Sequence, residues 1–229
     1  MEGRGTGDGG GTTSALPEAV HPPSPIPRPR STRRAPSFAS SRGAKALVFA
    51  AALAPLAIIA WKLYRDEYGE PIRDIEHATG EWALRFLAIT LALTPLRRLF
   101  GWNVLAKYRR MLGLFTFFYA TVHLGIYLGL DMLLDVGDIL EDATKHPRIW
   151  IGLLAWGMLV PLALTSTKGW IRRLGGTRWN RLHRLIYVIA VLATIHYLLA
   201  VKLDTLGPYT FGVLFAVLLG LRAWWAVRK

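Results

Sequence analysis

The chain contains no cysteine. Disulfides, cysteine-ligated iron–sulfur clusters and thioether-attached c-type haem are thereby excluded, so any redox group must be held by histidine or by packing alone. Histidine is itself scarce, with six among 229 residues. Acidic residues are few: beyond position 45, every Asp and Glu falls between the apolar runs or, for Glu81, at the edge of one. No G-x-G-x-x-G stands between a strand and a helix, so nothing argues for a nucleotide-binding domain.

Apolar side chains are what the sequence has in abundance. They make up 52% of it, with nine tryptophans and a mean hydropathy of +0.31. That composition suits membrane spans better than a soluble domain of this length. A net charge of +13 would also suit a nucleic-acid binder, so the distribution of charge has to decide.

Residues 1–44 are rich in Gly, Pro, Ser, Thr and Arg without hydrophobic period and read as a disordered basic tail. Six apolar runs follow, at about 46–64, 80–99, 111–130, 149–166, 184–201 and 208–227. Each is near the ~20 residues that cross ~30 Å of hydrocarbon. Pro55, Pro95 and Pro161 lie inside runs, which membrane helices tolerate. The expectation is an all-α membrane protein, a six-transmembrane-helix bundle forming one domain over 45–229.

The connecting segments sort by sign. The tail with Lys45, the 97–110 loop, the 167–184 loop and the C-terminal end carry seven, five, six and three Lys/Arg, whereas the loops near 62–79, 131–148 and 202–207 carry three, two and one. The basic side is read as cytoplasmic, with both termini inside. The charge therefore marks topology, and no nucleic-acid partner is expected.

In this topology the third and fifth runs point the same way. His123 comes 13 residues after Arg110, and His196 comes 13 after His183. At ~1.5 Å per residue both lie ~19–20 Å along their helices, in the outer half of the bilayer. Their contexts echo each other, Ala120-Thr121-Val122-His123 and Ala193-Thr194-Ile195-His196. Two imidazoles at one depth on parallel helices is what a bis-histidine b-type haem requires. The competing readings are a structural hydrogen bond, a metal site wanting three or more ligands, and a proton relay wanting carboxylates.

His183 lies ~140° around the helix from His196, at the cytoplasmic boundary, and its spacing leaves a ligand and a solvated role equally open. His21, His77 and His146 are expected in solvent. Arg85, ~8 Å into the second run from its outer end, either snorkels or pairs with a propionate of the outer haem. Arg109 and Arg110 stand at the depth of His183 and read chiefly as topology determinants.

The run from about 78 to 228 resembles the MsrQ (YedZ) family, the haem-binding membrane subunits of the MsrPQ protein-methionine-sulfoxide reductase system. The likeness rests on "TPLRR" (94–98), "RRMLGL" (109–114), "FFYATVH" (117–123), "PLALTS" (161–166) and "LGGTRWNRLHRLIY" (174–187) closing on "ATIH". The wider group is the ferric-reductase-like transmembrane domain, whose haems stack between the third and fifth spans. The resemblance implies that His123, His183 and His196 are haem-related and serve as axial ligands. It implies a subunit of a bacterial inner-membrane complex, not an enzyme by itself, that takes electrons from the quinone pool or a cytoplasmic flavin reductase. They would pass through haem b to a periplasmic, molybdopterin-containing MsrP-like subunit that repairs oxidised methionines. Flavin mononucleotide is also associated with the family. Two departures stand out: the 1–44 tail has no counterpart, and Arg109 and Arg110 occupy the level where a second, inner haem would want a third-span histidine. The alternatives are a stand-alone haem ferric or quinone reductase and, further off, a transporter.

Overall fold

A computed structural model describes residues 2, 3, 5, 7, 42–201 and 206–228. Apart from its first few positions and 42–44, the expected 1–44 tail lies outside the described residues, as does His21. From position 42 the chain is helical: α1 Arg42–Tyr64, α2 Pro71–Phe100, α3 Ala106–Ile126, α4 Val136–Lys145, α5 Pro147–Leu164, α6 Lys168–Leu182, α7 Leu185–Ala200 and α8 Leu206–Val227. A short 3-10 turn, Asn103–Leu105, leads into α3, and a π turn, Tyr127–Asp131, continues it. No strand occurs among the described residues.

Three helices run where loops were expected, each with a local reason. α2 begins nine residues before its apolar run because Pro71 starts it and the Asp74 carboxylate accepts the Glu70 N–H at 3.1 Å. It stops at Gly101, whose φ of 70° makes the left-handed cap. α4 forms inside the outer loop because Asp135 caps it, accepting from the Gly137 and Asp138 N–H groups. The 167–184 segment folds as α6, capped by the Thr167 hydroxyl and broken at Gly175, where φ is 72° and ψ 155°.

By length and composition four helical stretches can cross a membrane: α1, α3 with its flanking turns, α5 and α8. The α6–α7 pair, bent by 43°, makes a fifth. α2 is not among them, because Glu81, Arg85, Arg97 and Arg98 punctuate its apolar stretch. Yet α2 is the helix on which the bundle is built. Leu84, Leu87 and Leu91 pack with Leu159, Leu162, Ile189 and Phe215 from α5, α7 and α8. Phe86 and Leu93, on another side, pack with Ala52 of α1 and Leu112, Phe115 and Tyr119 of α3. A helix covered by protein can carry polar residues. α1 and α8, only 17% and 11% buried along their apolar windows, are apolar on the faces they turn to lipid, and Arg222 of α8 turns inward instead.

Tyr119 shows how tightly one contact is specified. Pro55 lacks the N–H that would close a turn of α1. One residue on, the fully buried Tyr119 hydroxyl sits inside the next helical pair, accepting from the Leu56 N–H at 3.1 Å and donating to the Ala52 carbonyl at 2.9 Å. Tyr119→Phe should therefore loosen α1 from α3 and cost about 1–3 kcal/mol for the two backbone groups left without it. A lowered unfolding midpoint of the detergent-solubilised protein checks this, and an unchanged midpoint would refute it.

Candidate functional site

His123 on α3 and His196 on α7 meet in the bundle. Their ring centres are 6.1 Å apart and their planes lie 84° from each other. Neither ring is left to find water. Nδ1 of His123 lies 2.9 Å from the Glu76 carbonyl of α2, and Nδ1 of His196 lies 2.8 Å from the Arg148 carbonyl of α5. A carbonyl only accepts, so each Nδ1 must carry the proton and donate it, and each Nε2 is left with a free lone pair. This is the tautomer of a metal-ligating imidazole backed by a second partner.

The donor set decides what such a pair can hold. Among the described residues no group of three or more His, Cys, Asp or Glu could bind a metal ion. A bare metal is therefore poorly served, whereas a macrocycle that brings its own equatorial ligands needs only two axial nitrogens. For imidazoles on opposite faces of one metal, with nitrogen–metal distances of about 2 Å, ring centres fall about 6 Å apart. The observed spacing fits that requirement.

The other expected site residues fall elsewhere. His183 is at the α6–α7 break, stacked on Trp179 with ring centres 3.9 Å apart and Nδ1 3.1 Å from the Trp179 carbonyl. Its Nε2 is buried without a hydrogen-bond partner among the described residues. With Arg109, Arg110, Thr90, Ser166 and Trp179 it lines a cavity of about 250 Å³. The structure thus brings His183 to the two arginines and away from the His123–His196 pair. Phe117 reaches this same cavity and stacks on Trp156 at 6.3 Å, and the Trp156 indole donates to the Thr121 hydroxyl. Phe117 precedes His123 by six residues, ~9 Å along α3, so aromatic rings span the interval between the two sites.

Arg85 pairs with Glu81 and lies 4.7 Å over the Trp82 ring. Glu81 also accepts from the Tyr197 hydroxyl at 2.9 Å, which ties α2 to α7 one residue from His196. His77 belongs to α2 and not to a loop; it is exposed, 5.5 Å from the Tyr197 ring. His146 is half-buried at the start of α5 and bonds Asp142 at 2.6 Å.

Arg222, within the last apolar run, was counted in the sequence only as a C-terminal charge. It turns inward: Nη2 donates to the Leu91 carbonyl, the guanidinium lies 5.2 Å over Tyr187, and Nε and Nη1 are buried without partners among the described residues. An arginine inside an apolar run was the signal that could have marked it.

The profile of the family described as "Ferric reductase like transmembrane component" matches residues 79–194, which include His123 and His183 and stop two residues short of His196. The protein-methionine-sulfoxide reductase heme-binding subunit MsrQ of Xanthomonas oryzae pv. oryzae (strain MAFF 311018) is 52% identical over 188 residues, spanning 79% of this chain and 86% of its own. The chain belongs to the MsrQ family. The MsrQ subunit of Xanthomonas axonopodis pv. citri (strain 306) is 51% identical over 188 residues, with 79% and 86% coverage. That of Herminiimonas arsenicoxydans is 49% identical over 188 residues, with 81% and 86% coverage.

On the polar side of this MsrQ-family site, the Glu76 side chain is pushed up to about 7. Burial is the main cause, Asp131 and Asp142 add repulsion, and Arg148 opposes them. A carboxyl that binds its proton more tightly when folded adds stability below its unfolded value of about 4.5, and that stability is lost as pH rises to about 7. The unfolding midpoint of wild type should accordingly fall relative to that of Glu76→Gln as pH rises from 4.5 to 7. A pH-independent difference would count against a buried, proton-holding Glu76.

Proposed function

We propose that this chain is the membrane electron-transfer subunit of a protein-methionine-sulfoxide reductase system, holding a haem b between His123 and His196. One observation carries the reading: two imidazoles whose ring centres are 6.1 Å apart, each with Nδ1 against a backbone carbonyl. The names of the relatives, heme-binding subunits of that reductase, supply the class of reaction. With no cysteine in the chain, the haem is held without thioether bonds. Bound haem would supply one-electron chemistry, its iron alternating between ferric and ferrous.

The protein's own part is to bind and orient. α3 and α7 present the ligands, while α2 and α5 supply the carbonyls that fix their protons. The apolar faces of α1, α5 and α8 keep the site among lipid. Arg85 would meet a propionate only by sharing or leaving Glu81. The cavity beside His183, Arg109 and Arg110 is the entry side for electrons from a quinone or a flavin reductase, with flavin mononucleotide among the candidates. His183 would be haem-related there.

The excess of Lys and Arg on one set of connections supports six crossings, with α2 and the bent α6–α7 pair each counted as one. It supports cytoplasmic termini, and we read the membrane as a bacterial inner membrane. The outer face would then meet a periplasmic molybdopterin-containing subunit.

The test is a reduced-minus-oxidised visible spectrum of the purified protein with haem counted per chain, beside His123→Ala and His196→Ala. A b-type α-band that collapses in both variants is expected. A colourless wild type after haem-supplemented expression would overturn the proposal and favour a transporter.

A further inference from the structure

The two histidines are seated on the same device, built twice. The carbonyl that faces His123 Nδ1 belongs to Glu76, and four residues later in α2 stands Gly80. The carbonyl that faces His196 Nδ1 belongs to Arg148, and four residues later in α5 stands Gly152. In a helix the Cβ at a given position leans back over the preceding turn, towards the carbonyl four residues earlier. A side chain there would occupy the space through which the imidazole reaches that carbonyl.

The distances bear this out. A Cβ built at Gly80 would lie 3.1 Å from Nδ1 and 3.2 Å from Cε1 of His123. A Cβ at Gly152 would lie 2.7 Å from both Nδ1 and Cε1 of His196. By contrast, nothing lies within 4 Å of a Cβ built at Gly157, little more than one turn further along α5. Glycine is a poor helix former, and at these two positions its missing side chain has a use.

We propose that Gly80 and Gly152 are a matched pair of positioning residues that let each imidazole donate its Nδ1–H in a hydrogen bond to the carbonyl one turn before the glycine. Together they set the tautomer and the near-perpendicular ring planes of the two haem ligands. A carbonyl that accepts from Nδ1–H makes Nε2 a stronger donor, which favours ferric over ferrous iron. The glycines therefore hold the reduction potential down as well as the geometry. This rests on the haem reading above, but the seating of the rings is a property of the polypeptide alone.

The experiment compares wild type, Gly80→Ala and Gly152→Ala, with Gly157→Ala as the control for a helical glycine. Haem per chain, the g values of the low-spin ferric electron-paramagnetic-resonance signal and the midpoint potential are read on the purified haem protein. Histidine ring 15N shifts are read on haem-free protein with labelled histidine. The expected result is Nδ1–H at both rings in wild type and in Gly157→Ala. Gly152→Ala should lose that tautomer preference at one ring, shift its g values and raise its potential. Gly80→Ala should do the same to a smaller degree, because its contact is less severe. Unchanged g values, potential and ring shifts in both variants would overturn the proposal. If Gly152→Ala fails to accumulate, the milder Gly80→Ala decides by the same readings. If wild type binds no haem, the haem reading fails and the ring 15N shifts alone decide the role of the glycines.

Discussion

A buried imidazole must give its N–H to something, and where lipid surrounds a bundle there is no water to take it. Both histidines at the centre of this protein answer with a backbone carbonyl from the neighbouring helix. That choice has consequences beyond satisfying one donor. It selects the tautomer, so the second nitrogen of each ring is free to bind. It also pairs the helices functionally: α3 and α7 carry the rings, and α2 and α5 hold them still. These are the two helix pairs that pack most extensively, α2 with α3 and α5 with α7.

The division between inside and outside follows from the same solvent argument. α2 is the most polar of the long helices and lies between the two core clusters, with α3 on one side and α5, α7 and α8 on the other. Its polar groups find partners there: Glu81 with Arg85 and Tyr197, and the Leu91 backbone carbonyl with Arg222 of α8. The helices turned to lipid keep large apolar side chains exposed, such as Leu47 and Ile58 on α1 and Val213 and Val217 on α8. In water such faces would drive association; against acyl chains they cost nothing.

Two levels of chemistry are stacked along the bundle. One is the histidine pair, close to the acidic cluster of Glu76, Asp131 and Asp142. The other is the cavity of His183, Arg109 and Arg110, on the side where the basic connections collect. Phe117 and Trp156 lie between them. Opposite charge at the two ends and aromatic rings in the interval suit a subunit that receives electrons at one face and delivers them at the other.

Much of this was legible in the sequence. Each of the six apolar runs lies within a helix to within two residues at its ends, α3 being taken with its π turn, because sustained hydropathy reports a segment's solvent without needing its neighbours. The depth match of His123 and His196 followed from helical rise alone, and the rings do meet. Other features needed the third dimension. α2, α4 and α6 extend into stretches whose polar residues and glycines read as loops, because caps at Asp74, Asp135 and Thr167 act through geometry that composition does not record. For Arg85 the sequence leaves snorkelling and a haem propionate open, and the structure shows it on Glu81, one turn away on its own helix. Arg222 enters the sequence reading only among the C-terminal charges, and it turns inward. By itself the sequence determined which segments form apolar helices and that the two imidazoles stand equally far along theirs, since both depend on position along one helix. Only the tertiary structure decided which carbonyl each imidazole faces and which glycine makes room for it. Those are relations between helices far apart in the chain, and no local pattern encodes the angle at which they cross.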